Sequence, residues 1–383
     1  MLLSFVILLW SLLICTVAGC QSTSLADMEQ EMKFVSEKVL YLGADLSYVN
    51  EMEDCGGTYR LESAVVDPFE IFATKGANMV RVRLWHNPTW TSYSNLQDAT
   101  KTIRRAKEQG MEVLLDFHYS DDWADPGKQI IPAAWREVED TGVLGDSLYQ
   151  YTFDVLMSLN EEGLMPEIVQ VGNEINSEIL VQDPVGQESD PLDWNKQVAL
   201  LNKGLQAVAD ASSRTGVPIG SMLHIAQPEN AFWWMKQAVA NGISPFDWIG
   251  LSYYPKWSDY TLSEVDLAID SLITLFDRRV MIVETAYPYS LDSWDDANNI
   301  LDQGSLLTEY PATPAGQKAF MIDLTSQVVK GGGEGVIYWE PAWISTSCRT
   351  RWGRGSHWEN ATFFDAGNEN EVLPVFEFLL ADY

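Results

Sequence analysis

Eight short apolar runs, rich in β-branched residues, recur along the sequence, and stretches with helical periodicity fill the gaps between them. The runs are VLYLGAD (39–45), ANMVRVRLW (77–85), MEVLLDFHY (111–119) and EIVQVGNE (167–174) in the first half. PIGSMLHI (218–225), DWIGLSYY (247–254), RVMIVET (279–285) and GVIYWEP (335–341) complete the set. Near-continuous apolar runs of this length read as strands buried on both faces, the signature of a parallel sheet. The intervening segments carry helix punctuation. Asp67-Pro68 supplies an N-cap and a first-turn proline before FEIFATK, and Gly76 is the stop. Asn95 opens LQDATKTIRRAKEQG, with Leu96, Ala99, Ile103 and Ala106 on one face. Residues 194–215 repeat the pattern before Gly216, and Thr313-Pro314 begins a helix that runs out at the glycines 331–333. Eight strands alternating with helices predict a closed (β/α)8 barrel, an α/β fold, as one domain over residues 39–383. An open doubly wound sheet is the alternative, but no GxGxxG or GxxxxGK[ST] loop follows any strand.

Composition narrows the setting. With 46% hydrophobic residues, a chain of 383 residues has ample material for one large core. A net charge of −31 repels phosphate and anionic headgroups, which excludes nucleic acid or a lipid surface as a charge-driven partner. The first 19 residues are apolar, shorter than a comfortable membrane span, and end in small residues before Cys20. Val17-Ala18-Gly19-Cys20 resembles a bacterial lipobox, although no Lys or Arg precedes the apolar run. Residues 1–19 are therefore expected to be a signal, Cys20 a lipidation site and residues 20–38 a polar tether. The resulting lipoprotein would sit at the cell surface or in the periplasm, with the lipid as its one link to a membrane. An uncleaved anchor or a plain signal peptide exports the chain equally. Cys15 falls in the signal, which leaves Cys55 and Cys348 for the mature fold. Their spacing matches no zinc site. They fall in the loops after strands 1 and 8, neighbours in a closed barrel, and a disulfide is expected there.

Barrels of this kind gather function where strands end and βα loops begin. Those positions hold Asp45, Arg83, Trp85, His86, Asp116, His118, Asn173, Glu174, His224, Tyr253, Tyr254, Glu284, Trp339 and Glu340. Any one of them has an ordinary structural reading as a helix cap or a hydrogen-bonded core group; their restriction to one end of eight strands does not. Glycoside hydrolysis needs two carboxyl groups flanking the scissile bond, one protonated and one ionised. Glu174 and Glu284 end strands 4 and 7 and point into one mouth. Asn173 is placed for a sugar hydroxyl, Arg83 to keep a carboxylate ionised and Tyr253 to orient it. Spacing alone leaves Glu340 and Asp116 open as the second carboxylate.

The sequences GADLSYV (43–49), MVRVRLWHNP (79–88), LLDFHYSDDWADPGKQ (114–129), VGNEIN (171–176), GLSYYPKW (250–257), VETAYPY (283–289) and YWEPAWI (338–344) together resemble glycoside hydrolase family 53, the endo-β-1,4-galactanases. The resemblance implies a retaining enzyme acting on galactan or type I arabinogalactan, with Glu174 as proton donor and acid/base, Glu284 as nucleophile and Glu340 in a supporting role. Asp45, Arg83, Trp85, His86, His118, Trp123, Asn173, Tyr253 and Trp339 then become the substrate-binding set. Trp339 would form the floor under the cleaved sugar, since an indole face suits the C–H face of galactose. Trp85, Trp90, Trp123 and Trp257 stand on the rim, while Trp90, like Trp135, is expected mainly to pack loops. No cofactor is required. Bacterial members often hold calcium after strand 7, where Asp292, Asp295 and Asp296 offer oxygen ligands in a spacing that follows no alternating pattern. A monomer is expected. Two readings compete: another β-glycanase of the same clan, acting on mannan or glucan, and a catalytically dead surface lipoprotein that only binds glycan. A paired acid and nucleophile, which binding alone does not need, speaks against the second.

Overall fold

The computed structural model describes residues 39–182, 192–351 and 353–383. The signal, the Cys20 lipidation site and the tether expected at residues 1–38 lie outside them. Eight parallel strands close into a barrel: β1 (Tyr41–Asp45), β2 (Met79–Leu84), β3 (Glu112–Phe117), β4 (Ile168–Val171), β5 (Gly220–Ala226), β6 (Trp248–Ser252), β7 (Arg279–Glu284) and β8 (Gly335–Tyr338). Closure comes from β1, which pairs with β8 from Tyr41↔Gly335 to Ala44↔Tyr338 and with β2 from Gly43↔Met79 to Asp45↔Arg81. Gly43 is required at this junction, because a Cβ there would lie 1.8 Å from the Met79 carbonyl oxygen.

Among the described residues, seven α-helices of seven residues or more surround the strands: α1 (Pro68–Thr74), α2 (Leu96–Glu108), α3 (Thr141–Glu161), α4 (Trp194–Thr215), α5 (Pro228–Ala240), α6 (Val265–Phe276) and α7 (Pro314–Lys330). The starts expected at Asp67, Asn95 and Thr313 are capped as written, and Asp193 caps α4. Asp67 accepts from the Phe69 N–H (2.8 Å), Asn95 from Asp98 (3.0 Å), Asp193 from Asn195 (3.0 Å) and Thr313 from Gly316 (3.0 Å). The final segment, Pro374–Leu380, is a 3₁₀ helix joined to α7 by a Lys318–Glu377 ion pair of 2.9 Å. Among the described residues no helix is long and apolar enough to cross a membrane.

The barrel interior divides into two zones. Met79, Leu114, Ile168, Met222, Trp248, Met281, Val283 and Ile337 form a dry plug. Two residues further along several of the same strands, on the same face, stand Arg81, Asp116, Gln170 and His224. The apolar plug supplies rigidity, and the polar layer above it forms the base of the site.

Candidate active site

Gly172 ends β4 with a φ of 89°, a conformation natural to glycine, and a Cβ there would meet Ile175 at 2.5 Å. The turn it permits presents Asn173 and then Glu174, whose own φ is 45°. A residue in this sparsely populated region persists only where its surroundings hold it. Here Gln129 donates to the carbonyls of Asn173 (2.8 Å) and Glu174 (3.2 Å), and the Ile175 N–H donates to the His224 carbonyl (3.0 Å). The Ser252 hydroxyl at the end of β6 donates to Glu174 Oε1 at 2.5 Å, and Ser252 Oγ lies 2.9 Å from His224 Nε2.

Glu284 is re-aimed by a bulge. Along the β6–β7 ladder Leu251 faces Ile282, but Ser252 faces Glu284, so Val283 is an extra residue in β7. Val283 joins the apolar plug together with Met281, and the slip also turns the next residue inward. Arg81 meets Glu284 Oε2 at 3.1 Å, and the Tyr254 hydroxyl donates to Oε1 at 3.2 Å. Arg81 binds Asp116 (2.9 Å), Asp45 (3.2 Å) and the Asn173 Oδ1 (2.7 Å) as well, so one buried guanidinium organises three carboxylates and an amide.

The two glutamates bring carboxylate oxygens within 4.8 Å of each other. Burial, then the charge of Glu284, raises the Glu174 carboxyl to about 8. Burial also raises Glu284, to about 7, while Arg81 and the Tyr254 hydroxyl pull it back. On raising the pH, the first proton therefore leaves Glu284 and the last stays on Glu174. Burial and then Arg81 push the His224 imidazole well down, so it is neutral at the pH where the pair shares one proton.

Both glutamates and Trp339 form the common wall of two pockets. One is polar, about 150 Å³, and is lined by Asp45, Arg81, Arg83, Asp116, His118, Trp123 and Asn173. The other is wider and mostly apolar, about 370 Å³, and is lined by Asn176, Gln227, Asn230, Tyr254, Trp257, Ile300 and Trp358. Trp358 buttresses Trp339 edge-on at 4.6 Å and donates from its indole N–H to the Trp339 carbonyl at 3.1 Å.

Asp45, His118, Trp123, Asn173 and Trp339 thus stand where the strand-end reading put them. Four others do not. Arg83 does not reach Glu284. It pairs with Glu340 at 2.8 Å and stacks beneath Trp123, 4.1 Å from the ring centre, while Arg81, one inward position deeper, binds Glu284. Tyr253 faces away and donates to the Tyr260 carbonyl (3.2 Å). Ser252 and Tyr254 share the inward face, as alternation requires. Trp85, 2% exposed, packs behind Trp123 and lines neither pocket. His86 turns to Asp121 (3.5 Å) and Trp135. Trp90 packs on Trp85 at 5.0 Å, and Trp257 lines the wide pocket.

Glu340 is fully buried, held by Arg83 and by the Tyr48 N–H (3.2 Å), and it lines neither pocket. After β7, Asp295 accepts from the Ser345 hydroxyl (2.6 Å) and from the N–H groups of Ser356 (2.7 Å) and Ala297 (2.7 Å). Asp292, Asp295 and Asp296 do not gather into a trio of carboxylate ligands. Among the described residues the only trio of side chains with ligand atoms close together is Glu174, His224 and Glu284. Cys55 and Cys348 are joined by a disulfide with a Cα–Cα distance of 5.4 Å. Ser252, Arg81 and Gln227 were not singled out by sequence reasoning. Strand alternation from Glu284's partners offered a signal for the first two, and nothing local marked the third.

Known proteins place this arrangement. An arabinogalactan endo-β-1,4-galactanase of Cellvibrio japonicus is 56% identical over 343 residues, covering 90% of this chain and 91% of its own length. An endo-β-1,4-galactanase of Bacillus subtilis is 32% identical, with 87% and 81% covered. The family 53 catalytic domain of Ignisphaera aggregans superposes with a TM-score of 0.80 at 29% identity, covering 90% of this chain and 96% of that one. The profile of glycosyl hydrolase family 53 matches residues 41–379, nearly the whole barrel, and the chain belongs to that family.

Proposed function

We propose that this enzyme cuts internal β-1,4-galactosidic bonds of galactan and type I arabinogalactan with retention of configuration, Glu284 acting as nucleophile and Glu174 as acid/base. The observation that carries the reading is the pair itself. Two carboxyls, Glu284 buried and Glu174 half-buried, with oxygens within 4.8 Å share one proton that rests on Glu174. Such closeness suits the separation of roughly 5–5.5 Å between carboxyl groups in retaining enzymes and leaves no room for the water an inverting pair must hold between them.

The polar pocket takes the sugar under attack, with the Asn173 amide beside its 2-hydroxyl and Trp339 beneath its C–H face. A Glu284 oxygen bonds to the anomeric carbon while the bond to the leaving oxygen breaks, and that oxygen takes the Glu174 proton. Glu284 is then an ester without charge, which removes the repulsion that kept Glu174 protonated. The Glu174 carboxylate accepts a proton from water as the water oxygen attacks the anomeric carbon, and Glu284 departs as carboxylate. Arg81 and Tyr254 keep Glu284 ionised and aimed.

Purified enzyme should depolymerise β-1,4-galactan and leave β-1,4-mannan and β-1,4-glucan intact, and NMR of early product should show the β-anomer first. An α-anomer appearing first would overturn the assignment of Glu284 as nucleophile, and preference for mannan or glucan would overturn the substrate. The chain is also proposed to be exported and held to a membrane through a lipid on Cys20. Cys20→Ala should move the protein from the membrane to the soluble fraction, and retention there would refute the anchor.

A further inference from the structure

The wide apolar pocket contains a polar group that the two-glutamate chemistry leaves unused. Gln227 follows β5 directly and precedes Pro228, and its φ of 63° with ψ of 137° is a conformation that residues with a Cβ rarely adopt. The backbone around it is clamped. The Gln227 N–H donates to the Ser252 carbonyl (3.0 Å) and its carbonyl accepts from the Asn230 N–H (3.2 Å). Beyond Val171 the β4 backbone has turned away from β5, and the Asn176 carboxamide replaces it. That side chain accepts from the Ala226 N–H at 2.8 Å and donates to the Ala226 carbonyl at 3.0 Å.

This clamp fixes one side chain. The Tyr254 N–H donates to Gln227 Oε1 at 3.3 Å. A backbone N–H meets only an acceptor, so the flip of the carboxamide is determined and its NH₂ is directed the other way. Gln227 is only 7% exposed and lines the pocket, and among the described residues its Nε2 meets no acceptor. The donor therefore faces the open pocket, where water or a ligand oxygen can take its hydrogen bond.

We propose that Gln227 Nε2 donates a hydrogen bond to a hydroxyl of the departing sugar, and so selects a pyranose over other alcohols as leaving group. The inference rests on the reading above, in which the polar pocket holds the sugar under attack. The wide pocket, sharing Glu174 with it, then receives the group that Glu174 protonates. Tyr254 and Trp257, edge to face at 5.1 Å, line that pocket for the sugar's C–H surface, and Gln227 supplies the polar recognition.

The test compares two substrates with the same attacked portion: a β-1,4-galacto-oligosaccharide, which expels a sugar, and a 4-nitrophenyl β-1,4-galacto-oligoside, which expels a phenolate. Gln227→Gly removes the amide and suits the backbone conformation, and Gln227→Met removes the donor while keeping the length. For both, kcat/KM on the oligosaccharide should fall about tenfold more than on the nitrophenyl substrate. The basic limb of the pH–rate profile on the oligosaccharide should stay in place. An equal fall on both substrates, or no fall, overturns the proposal. A changed ratio with a displaced basic limb overturns it too, because the effect then runs through Glu174. If the wild type spares galactan but cuts another β-glycan, the galactan reading has failed, and the same pair of substrates built on that glycan decides the role of Gln227.

Discussion

At the scale of single residues, the site works because two chemically identical side chains have different neighbours. Glu174 is raised to about 8 by burial and then by the Glu284 charge; Glu284, raised by burial to about 7, has Arg81 beside it. In the proposed mechanism the productive form carries the proton on Glu174 and the charge on Glu284, the nucleophile. As pH falls through the lower apparent value, Glu284 is protonated and the nucleophile is lost. As pH rises through the upper one, Glu174 ionises and the acid is lost. The profile of kcat/KM should therefore be a bell with its maximum between pH 7 and 8, its limbs belonging to the pair rather than to either residue. Glu284→Gln should lower the Glu174 titration, read by carbon-13 NMR of its carboxyl, while burial holds it above the ordinary carboxylate range. An unshifted titration would show that burial alone sets it. Both glutamates could be shortlisted because each ends a recognisable strand, but the resemblance to family 53, and not spacing, favoured Glu284 over Glu340 and Asp116. Their partners were less so. Arg83 and Arg81 share the inward face of β2, and a linear pattern cannot say which depth reaches across the barrel. Tyr253 and Tyr254 differ by one residue, which on a strand reverses the face.

At the scale of elements, the barrel mouth is braced by a buried ion pair at the edge of the polar pocket, which Arg83 lines and Glu340 does not. Arg83 of β2 and Glu340, just beyond β8, are buried at 2% and 0% exposure and pair at 2.8 Å, and the guanidinium lies against the rings of Tyr48, Trp85 and Trp123. Removing one partner leaves the other charge stranded in a low-dielectric interior. Arg83→Met should thus cost about 3–5 kcal/mol of stability by urea denaturation, and adding Glu340→Gln should return a good part of it. Two substitutions with additive losses would mean the pair is no brace. The same scale shows where local signals stop. Helices announced by Asp-Pro, Asn or Thr-Pro starts were readable, and α4 begins and ends where its pattern does. The sheet formed by Phe364–Asp365, Glu371–Val372, Arg60–Leu61 and Ala64–Val65 was not, since two-residue strands have no period and their pairing joins segments some 300 residues apart. The bulge at Val283 was equally hidden. It exists only relative to the register of β6.

For the whole molecule, the question is what closes the circle. The β1–β8 ladder does so through Tyr41↔Gly335, Leu42↔Val336, Gly43↔Ile337 and Ala44↔Tyr338, independently of any covalent link. The Cys55–Cys348 disulfide spans a sequence separation of 293 and joins the loops that follow those same two strands, so it reinforces a seam already hydrogen-bonded. The pairing was legible from topology alone, because loops after adjacent strands emerge at the same end. Its effect falls mainly on the unfolded chain. A cross-link over so long a loop forbids the most extended conformations and raises the free energy of the unfolded state, roughly 3–5 kcal/mol in the chain-entropy view. The folded barrel has its ladder either way, so the Cys55→Ser, Cys348→Ser double variant should keep the wild-type far-UV circular dichroism. It should unfold at a clearly lower denaturant midpoint, and wild-type protein in excess reductant should shift towards the same midpoint. Coincident midpoints for the oxidised, reduced and serine forms would show that the ladder alone sets closure. Loss of the barrel spectrum in the serine form would show instead that the seam depends on the covalent link.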